Sequence, residues 1–310
     1  MNICDGAGAT YVDPNMKLRR NGEYHLVFSH FWGPRRTNDD RNSNFFGLTF
    51  HYSNDGISWK LFPEKTRFKP NVGSVFRDPT IKPDPVNGGF RLVWTSDWRG
   101  ARFGTAWSKD LLFWEDVKLV DIMKSVEPLN TWAPKLQWNE AEENWVIIFT
   151  SSMIHGKEPF IGNRFWFTKT SDFKEFAPPI LLFDWGFSVN DISMYKLPDS
   201  RYAMFYKNLL HHDIRLSFAP SLFGPWYPSN NPLTPDGVFS EGPTVINIDG
   251  CYHLYFDRSA DHFMGCVKSQ ILIQDRWDDI TSELNLPKQV KHGSVFPVSP
   301  DHAQMLKDVN

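Results

Sequence analysis

The chain has 310 residues, 41% of them hydrophobic and 15% aromatic, enough for a sizeable core in one domain. Its formal net charge is −3 with no long run of either sign, which argues against an electrostatically driven nucleic-acid or membrane partner. No apolar run is long enough to span a bilayer. Residues 1–11 lack a basic stretch followed by an apolar core, so the expected compartment is the cytoplasm.

Thirteen Trp and 26 Phe stand out. Aromatic rings bury much area each and favour strands. They also stack on the apolar C–H faces of sugars. The cysteines Cys4, Cys251 and Cys266 contain no Cys-x-x-Cys pair and read as reduced thiols. No Gly-rich phosphate loop is present, so no nucleotide cofactor is expected.

In chain order, one pattern recurs: an aromatic strand, a variable turn, a strand ending in Ser-x-Asp or similar, then a closing aromatic. It runs through 22–28 and 50–59, then 89–94 and 105–114, then 144–149 and 166–176. The last two copies are 201–206 with 215–217, closing at Trp226, and 251–256 with 266–269, closing at Trp277. The leading aromatics Tyr24, Phe90, Trp145, Tyr202 and Tyr252 recur at intervals of about 55 residues. That is the size of a four-stranded propeller blade with its loops. The expected fold is therefore all-β: a five-bladed β-propeller, with 1–310 as a single domain. A two-sheet sandwich would leave the repeat unexplained. No long amphipathic helix is expected, though residues 275–284 can hold a short one.

A further strand precedes the aromatic hairpin in copies two to five, at 75–81, 131–138, 188–195 and 239–246. In a propeller the first strand of each blade lines the central channel. These strands open on Arg77-Asp78-Pro79, Trp132-Ala133-Pro134, Asn190-Asp191-Ile192 and Glu241-Gly242-Pro243. Two stretches compete for the first blade: Tyr11-Val12-Asp13-Pro14-Asn15, and the C-terminal His292-Gly293-Ser294-Val295-Phe296-Pro297-Val298. The second is favoured, because joining the end of the chain to its beginning removes open sheet edges.

Asp78, Asp191 and Glu241 then point at one axial pocket. Like charges in a confined site push at least one carboxyl up. A raised carboxyl donates a proton near neutral pH, while an ionised one takes a proton from water. That is the equipment for glycoside hydrolysis, with about 6.5–9.5 Å between acid and base in an inverting enzyme.

The ordered set Arg77-Asp78-Pro79, Trp132-Ala133-Pro134, Asn190-Asp191, Glu241-Gly242-Pro243 and His292-Gly293-Ser294 resembles glycoside hydrolase family 43. The resemblance implies an inverting enzyme acting on plant-type oligo- and polysaccharides, most often as an exo α-L-arabinofuranosidase or β-xylosidase. It implies that Asp78 is the general base, that Asp191 orients the general acid and modulates its pKa, and that Glu241 is that acid. His292 matches an axial histidine near bound sugar that in many members lies by a metal or water. No cofactor is required on this reading, but a structural Ca²⁺ in the channel beside His292 is compatible with it. The third acid departs from the family pattern, with Ile192 where Pro is usual.

Further candidates for sugar contact are Arg77, which can also hold Asp78 ionised, and the rings of Trp132 and Trp98. Lys207 and Asn208 follow a strand and can face the site. So can Asp257-Arg258, with Arg258 the candidate for sugar contact. His211-His212-Asp213 reads poorly as a metal cluster, because adjacent strand residues face opposite ways. Asp13-Pro14-Asn15 with Arg77-Asp78-Pro79 also resembles the retaining fructan- and sucrose-cleaving propeller hydrolases. That scheme lacks its proton donor, because Trp132-Ala133-Pro134-Lys135 stands where the acid belongs. A non-catalytic carbohydrate-binding propeller is the alternative outside enzymes. Sugar, linkage, exo or endo action and oligomeric state are left open.

Overall fold

The computed structural model describes residues 25–32, 47–152, 162–272 and 276–309. Asp13 and Cys4 lie outside them. Five antiparallel sheets form a propeller. Blade 1 holds β1 (His25–Trp32), β2 (Thr49–Ser53), β3 (Lys60–Leu61) and the C-terminal β19 (Val290–Val298). Blade 2 holds β4 (Arg77–Pro83), β5 (Phe90–Thr95), β6 (Phe103–Ser108) and β7 (Trp114–Val120). Blade 3 holds β8 (Trp132–Asn139), β9 (Asn144–Ser152), β10 (Asn163–Thr170) and β11 (Ile180–Leu181). Blade 4 has three strands, β12 (Val189–Lys196), β13 (Tyr202–Asn208) and β14 (Asp213–Ala219). Blade 5 holds β15 (Ser240–Ile248), β16 (Cys251–Arg258), β17 (Phe263–Ser269) and β18 (Asp278–Asp279).

The innermost strands follow one another around the axis as β4, β8, β12, β15 and β19, and β19 meets β4 again. Ring closure uses the C-terminal strand: β19 pairs along β1, with His25 opposite Val298 and His30 opposite Gly293. Hydroxyls knit the inner strands together. Ser294 Oγ accepts from Ile81 N at 2.9 Å, and Thr244 Oγ1 accepts from Val295 N at 3.2 Å.

The core is divided among the seams. One cluster holds Phe50, Leu92 and Phe296, between blades 1 and 2. Another joins Trp145 and Phe149 to Phe103, between blades 2 and 3. Ile148, Phe165, Met204 and Tyr206 fill the next seam. Phe205 and Leu254 fill the fourth, and Phe28 with Tyr255 the last. The recurring Ser-x-Asp is structural. Asp55 Oδ1 accepts from the amides of Ile57 and Ser58 at 2.8 and 2.7 Å, and Asp110 does the same for Leu112 and Phe113 at 2.9 and 3.0 Å. A short acceptor side chain thus closes the outer turn of the blade.

Among the described residues one α-helix forms, α1 (Pro300–Lys307), beyond the last strand. Ser299 caps it, accepting from His302 N, and Pro300 sits in its first turn, where a missing N–H costs nothing. The described part of 275–284 is instead β18 and a 3-10 turn at Thr281–Glu283. Cys251 and Cys266 are free thiols.

Candidate active site

Each innermost strand carries an extra residue near the start, where its register against the second strand slips. The paired positions before the slip are Arg77 opposite Thr95, Trp132 opposite Thr150, Asn190 opposite Lys207 and Glu241 opposite Asp257. In β19 the slip falls between Val290 and Gly293. The next residue is left-handed in four blades: Asp78 at φ 54°, Ala133 at 48°, Asp191 at 46° and Gly242 at 61°. Such bulges re-aim side chains. They turn Asp78 and Asp191 into the channel. They also show that Glu241 is not the counterpart of the two aspartates. Gly242 occupies that position, and Glu241 corresponds to Arg77. The glycine is needed there, since a Cβ on Gly242 would lie 1.9 Å from His292 Cγ.

His292 is the hub. Its Nε2 lies 2.8 Å from Asp78 Oδ1 and its Nδ1 3.3 Å from Asp257 Oδ2. Burial alone would lower the imidazole, but hydrogen bonding to Asp257 and Asp78 prevails and raises it to about 10. Asp78 is buried, which opposes ionisation. His292, the Arg77 charge and Thr95 outweigh burial and hold its carboxyl far below the usual range. Thr95 Oγ1 donates to Asp78 Oδ2 at 2.6 Å and accepts from Ala133 N of the next blade at 2.7 Å.

The other two acids differ sharply. Asp191 Oδ2 accepts from Gly242 N at 3.1 Å, and burial raises its carboxyl. Glu241 is part-buried, which opposes ionisation, yet its Oε2 receives Lys207 Nζ at 2.7 Å, and the Lys207 and His292 charges bring it down to about 2. Lys207 therefore faces the site. Lys135 is buried beneath both aspartates, with Nζ 3.4 Å from Gly293 O. Lys291 Nζ donates to Asp257 Oδ1 at 3.1 Å.

Arg77 is clamped between rings, its guanidinium carbon 4.7 Å from the Phe31 centroid and 4.6 Å from that of Trp98. Trp98 stands at the rim, 43% exposed. The part-buried Trp132 meets it edge to face and donates from Nε1 to Trp98 O at 3.2 Å. Arg258, expected against sugar, instead pairs with Asp261 at 2.7 Å and lies over Phe263. Strand alternation explains this, because its neighbour Asp257 takes the inward position. The His211-His212-Asp213 stretch is no metal cluster either. His212 stacks on Phe239, and Asp213 pairs with Arg215 at 2.8 Å.

Among the described residues, one group of potential metal ligands gathers: Glu241, Asp257 and His292, with ligand atoms within 4.8 Å of one another. Ca²⁺ needs six to eight oxygens. Here both His292 nitrogens face carboxylates, Glu241 is held by Lys207, and Asp257 is shared between Lys291 and His292. That donor set, balanced by the chain's own cations, does not fit a resident Ca²⁺.

The family model for a probable glycosyl hydrolase domain of the family 43-related type matches residues 24–304. The chain belongs to glycoside hydrolase family 43. It is thus a glycosidase with a carbohydrate substrate. Solved family 43 structures share the fold. A thermostable family 43 glycoside hydrolase superposes with a TM-score of 0.57 at 18% identity, over 75% of this chain and 83% of that one. The arabinanase Arb43A of Bacillus subtilis gives 0.51 at 14%, over 71% and 81%. A variant of the family 43 protein BlXynB of Bacillus licheniformis gives 0.52 at 16%, over 71% and 45%. No curated protein matches the sequence.

Thr95, Lys207, Asp257 and Lys291 complete the site; of these, Lys207 and Asp257 were sequence candidates, while Thr95 and Lys291 were missed. The first three end second strands, opposite the bulged positions. Aligning the blade repeats column by column brings Thr95, Thr150, Lys207 and Asp257 into one column, a signal that points to Thr95 as well.

Proposed function

We propose that this family 43 enzyme is an inverting, exo-acting hydrolase of α-L-arabinofuranosyl or β-D-xylosyl units. The observation that carries the reading is the split among the acids: Asp78 is held ionised by His292, Arg77 and Thr95, while Asp191 is raised. A carboxylate kept ionised suits base work, and the donor role goes to Glu241 by the family resemblance. Asp78 takes a proton from water as that water's oxygen bonds to the anomeric carbon. The bond from that carbon to the leaving oxygen breaks, and Glu241 protonates the leaving oxygen. Solvent then returns the proton from Asp78 to Glu241.

In the resting site Glu241 is ionised against Lys207, so it cannot yet donate. Substrate hydroxyls that draw Lys207 away release Glu241 to take up a proton. Asp191, buried and raised, lies within electrostatic reach of Glu241. The sugar preference follows the family resemblance, and the fold neighbours include an arabinanase.

The test is hydrolysis of p-nitrophenyl α-L-arabinofuranoside, β-D-xyloside, β-D-galactoside and β-D-fructofuranoside by wild type, Asp78→Asn and Glu241→Gln, with the first-formed anomer read by NMR. Arabinoside or xyloside cleavage with inversion, lost in both variants, is expected. A retained anomer would exclude the single-displacement scheme. Full activity in Glu241→Gln would remove its role as donor. Fructofuranoside cleavage would instead promote Asp13 and a retaining scheme.

A further inference from the structure

Two residues before Glu241, the seam between blades 4 and 5 carries an aromatic stack. The ring of Phe239 lies 4.8 Å from that of His212 at an interplanar angle of 28°. Phe239 is 51% exposed. The ladder between β15 and β16 continues through it, since Ser259 N donates to Phe239 O at 3.0 Å. Phe239 and Glu241 therefore stand on the same side of one extended strand, two residues apart. His212 lies close enough to feel the charges of both Lys207 and Glu241.

The stack is held in place before anything binds. His212 sits at φ 58° in the turn after β13, with its N–H on Asn208 O at 2.8 Å. Asn208 Oδ1 accepts from Leu210 N at 2.8 Å and His211 N at 3.3 Å. Ser240 N donates to His212 O at 2.8 Å, pinning the turn of blade 4 to the start of β15. A half-exposed ring fixed in this way loses little entropy on meeting a ligand.

We propose that Phe239, backed by His212, is the platform for the sugar ring on the leaving side of the scissile bond. The reasoning rests on the hydrolase reading above. Glu241 protonates the leaving oxygen, so the ring bearing that oxygen emerges on Glu241's side of the pocket. Phe239, half-exposed and two residues before Glu241, is a ring placed on that side. A pyranose or furanose offers an apolar C–H face that covers such a ring. Trp98 and Trp132 belong to the opposite side, beside Arg77 and Asp78.

The experiment compares Phe239→Ala with wild type on two substrates of the same glycosyl unit: the disaccharide and the glycosyl fluoride, which has no leaving-side ring. The control is Phe113→Ala, another exposed phenylalanine, 74% accessible, at the far edge of blade 2. The ratio of kcat/KM for disaccharide to that for fluoride is expected to fall about tenfold or more in Phe239→Ala, which corresponds to about 1.4 kcal/mol. It should hold in Phe113→Ala. An unchanged ratio in Phe239→Ala, whether both rates hold or both fall, overturns the platform. If wild type cleaves neither substrate, the hydrolase reading has failed, and the platform is read by calorimetry. Xylobiose or arabinobiose should then bind wild type tighter than xylose or arabinose, and Phe239→Ala should erase that difference. Equal preference in the two proteins, or no binding to wild type, overturns it.

Discussion

His292 holds a positive charge between two buried carboxylates, and three changes around it separate charge, hydrogen bonding and space. His292→Gln leaves Asp78 and Asp257 facing each other without their shared cation. Breaking a buried pair costs about 3–5 kcal/mol, and denaturant unfolding reads it. Thr95→Val removes a donor to Asp78 and an acceptor for Ala133 N. It should cost about 1–2 kcal/mol, raise the Asp78 carboxyl, and move the acid limb of kcat/KM to higher pH. Gly242→Ala forces a methyl against the imidazole and should cost about 3 kcal/mol. Gly88→Ala is its control, since Gly88 has φ 68° with nothing within 4 Å of its added Cβ, so only the backbone term of about 1–2 kcal/mol applies. Equal losses in the two alanine variants would mean that His292 moves aside freely. A fourth change concerns Lys207, whose ammonium holds Glu241 ionised. Lys207→Met raises Glu241, so more of it is protonated at neutral pH. The alkaline limb of kcat/KM then moves up by about one pH unit or more.

At the scale of elements, the innermost strands explain both what the sequence disclosed and what it hid. Asp78, Glu241 and His292 were legible because short motifs beside Gly or Pro mark the bulges, and Asp191 because it falls in order among them at the head of an inner strand. The aromatic hairpins were legible because alternation and a repeat near 55 residues survive in the primary structure. The offset of Glu241 by one position was not legible, because Glu241-Gly242-Pro243 and Arg77-Asp78-Pro79 look alike until the left-handed residue is located. Lys207 and Asp257 were legible as candidates from their place at strand ends, but their partners were not. They act across seams or between strands, and nothing local to either residue records its partner. Arg258 was assigned inward by proximity alone, and alternation reversed it. The helix α1 carried a Ser299-Pro300 start signal that the search for long amphipathic segments passed over.

For the whole molecule, stability follows the ring and its central charges. His292 is raised in the folded protein from 6.5 to about 10. Its contribution is complete below about 6.5 and is lost as pH climbs through 10. Glu241 is depressed from 4.5 to about 2, so its share is present above 4.5 and lost as pH falls toward 2. Thermal melts across pH should therefore decline on both flanks, and His292→Gln should flatten the alkaline one. An alkaline slope that persists in that variant would assign it to another group. Deleting residues 290–309 removes β19 and α1 together, uncovers β1 and opens two seams of the core. That chain should lose its cooperative melt and run as aggregate in size exclusion.

Strand β19 has a consequence in time as well as space. It is the last strand of the propeller to leave the ribosome, yet its partner β1 is the first described strand, and it brings His292 to Asp78. Until it docks, blade 1 has no inner strand and Asp78 has no imidazole beside it. A nascent chain with four finished blades thus lacks the group that joins Asp78 to Asp257. Under the proposed mechanism, the site is completed in the same event that locks the ring.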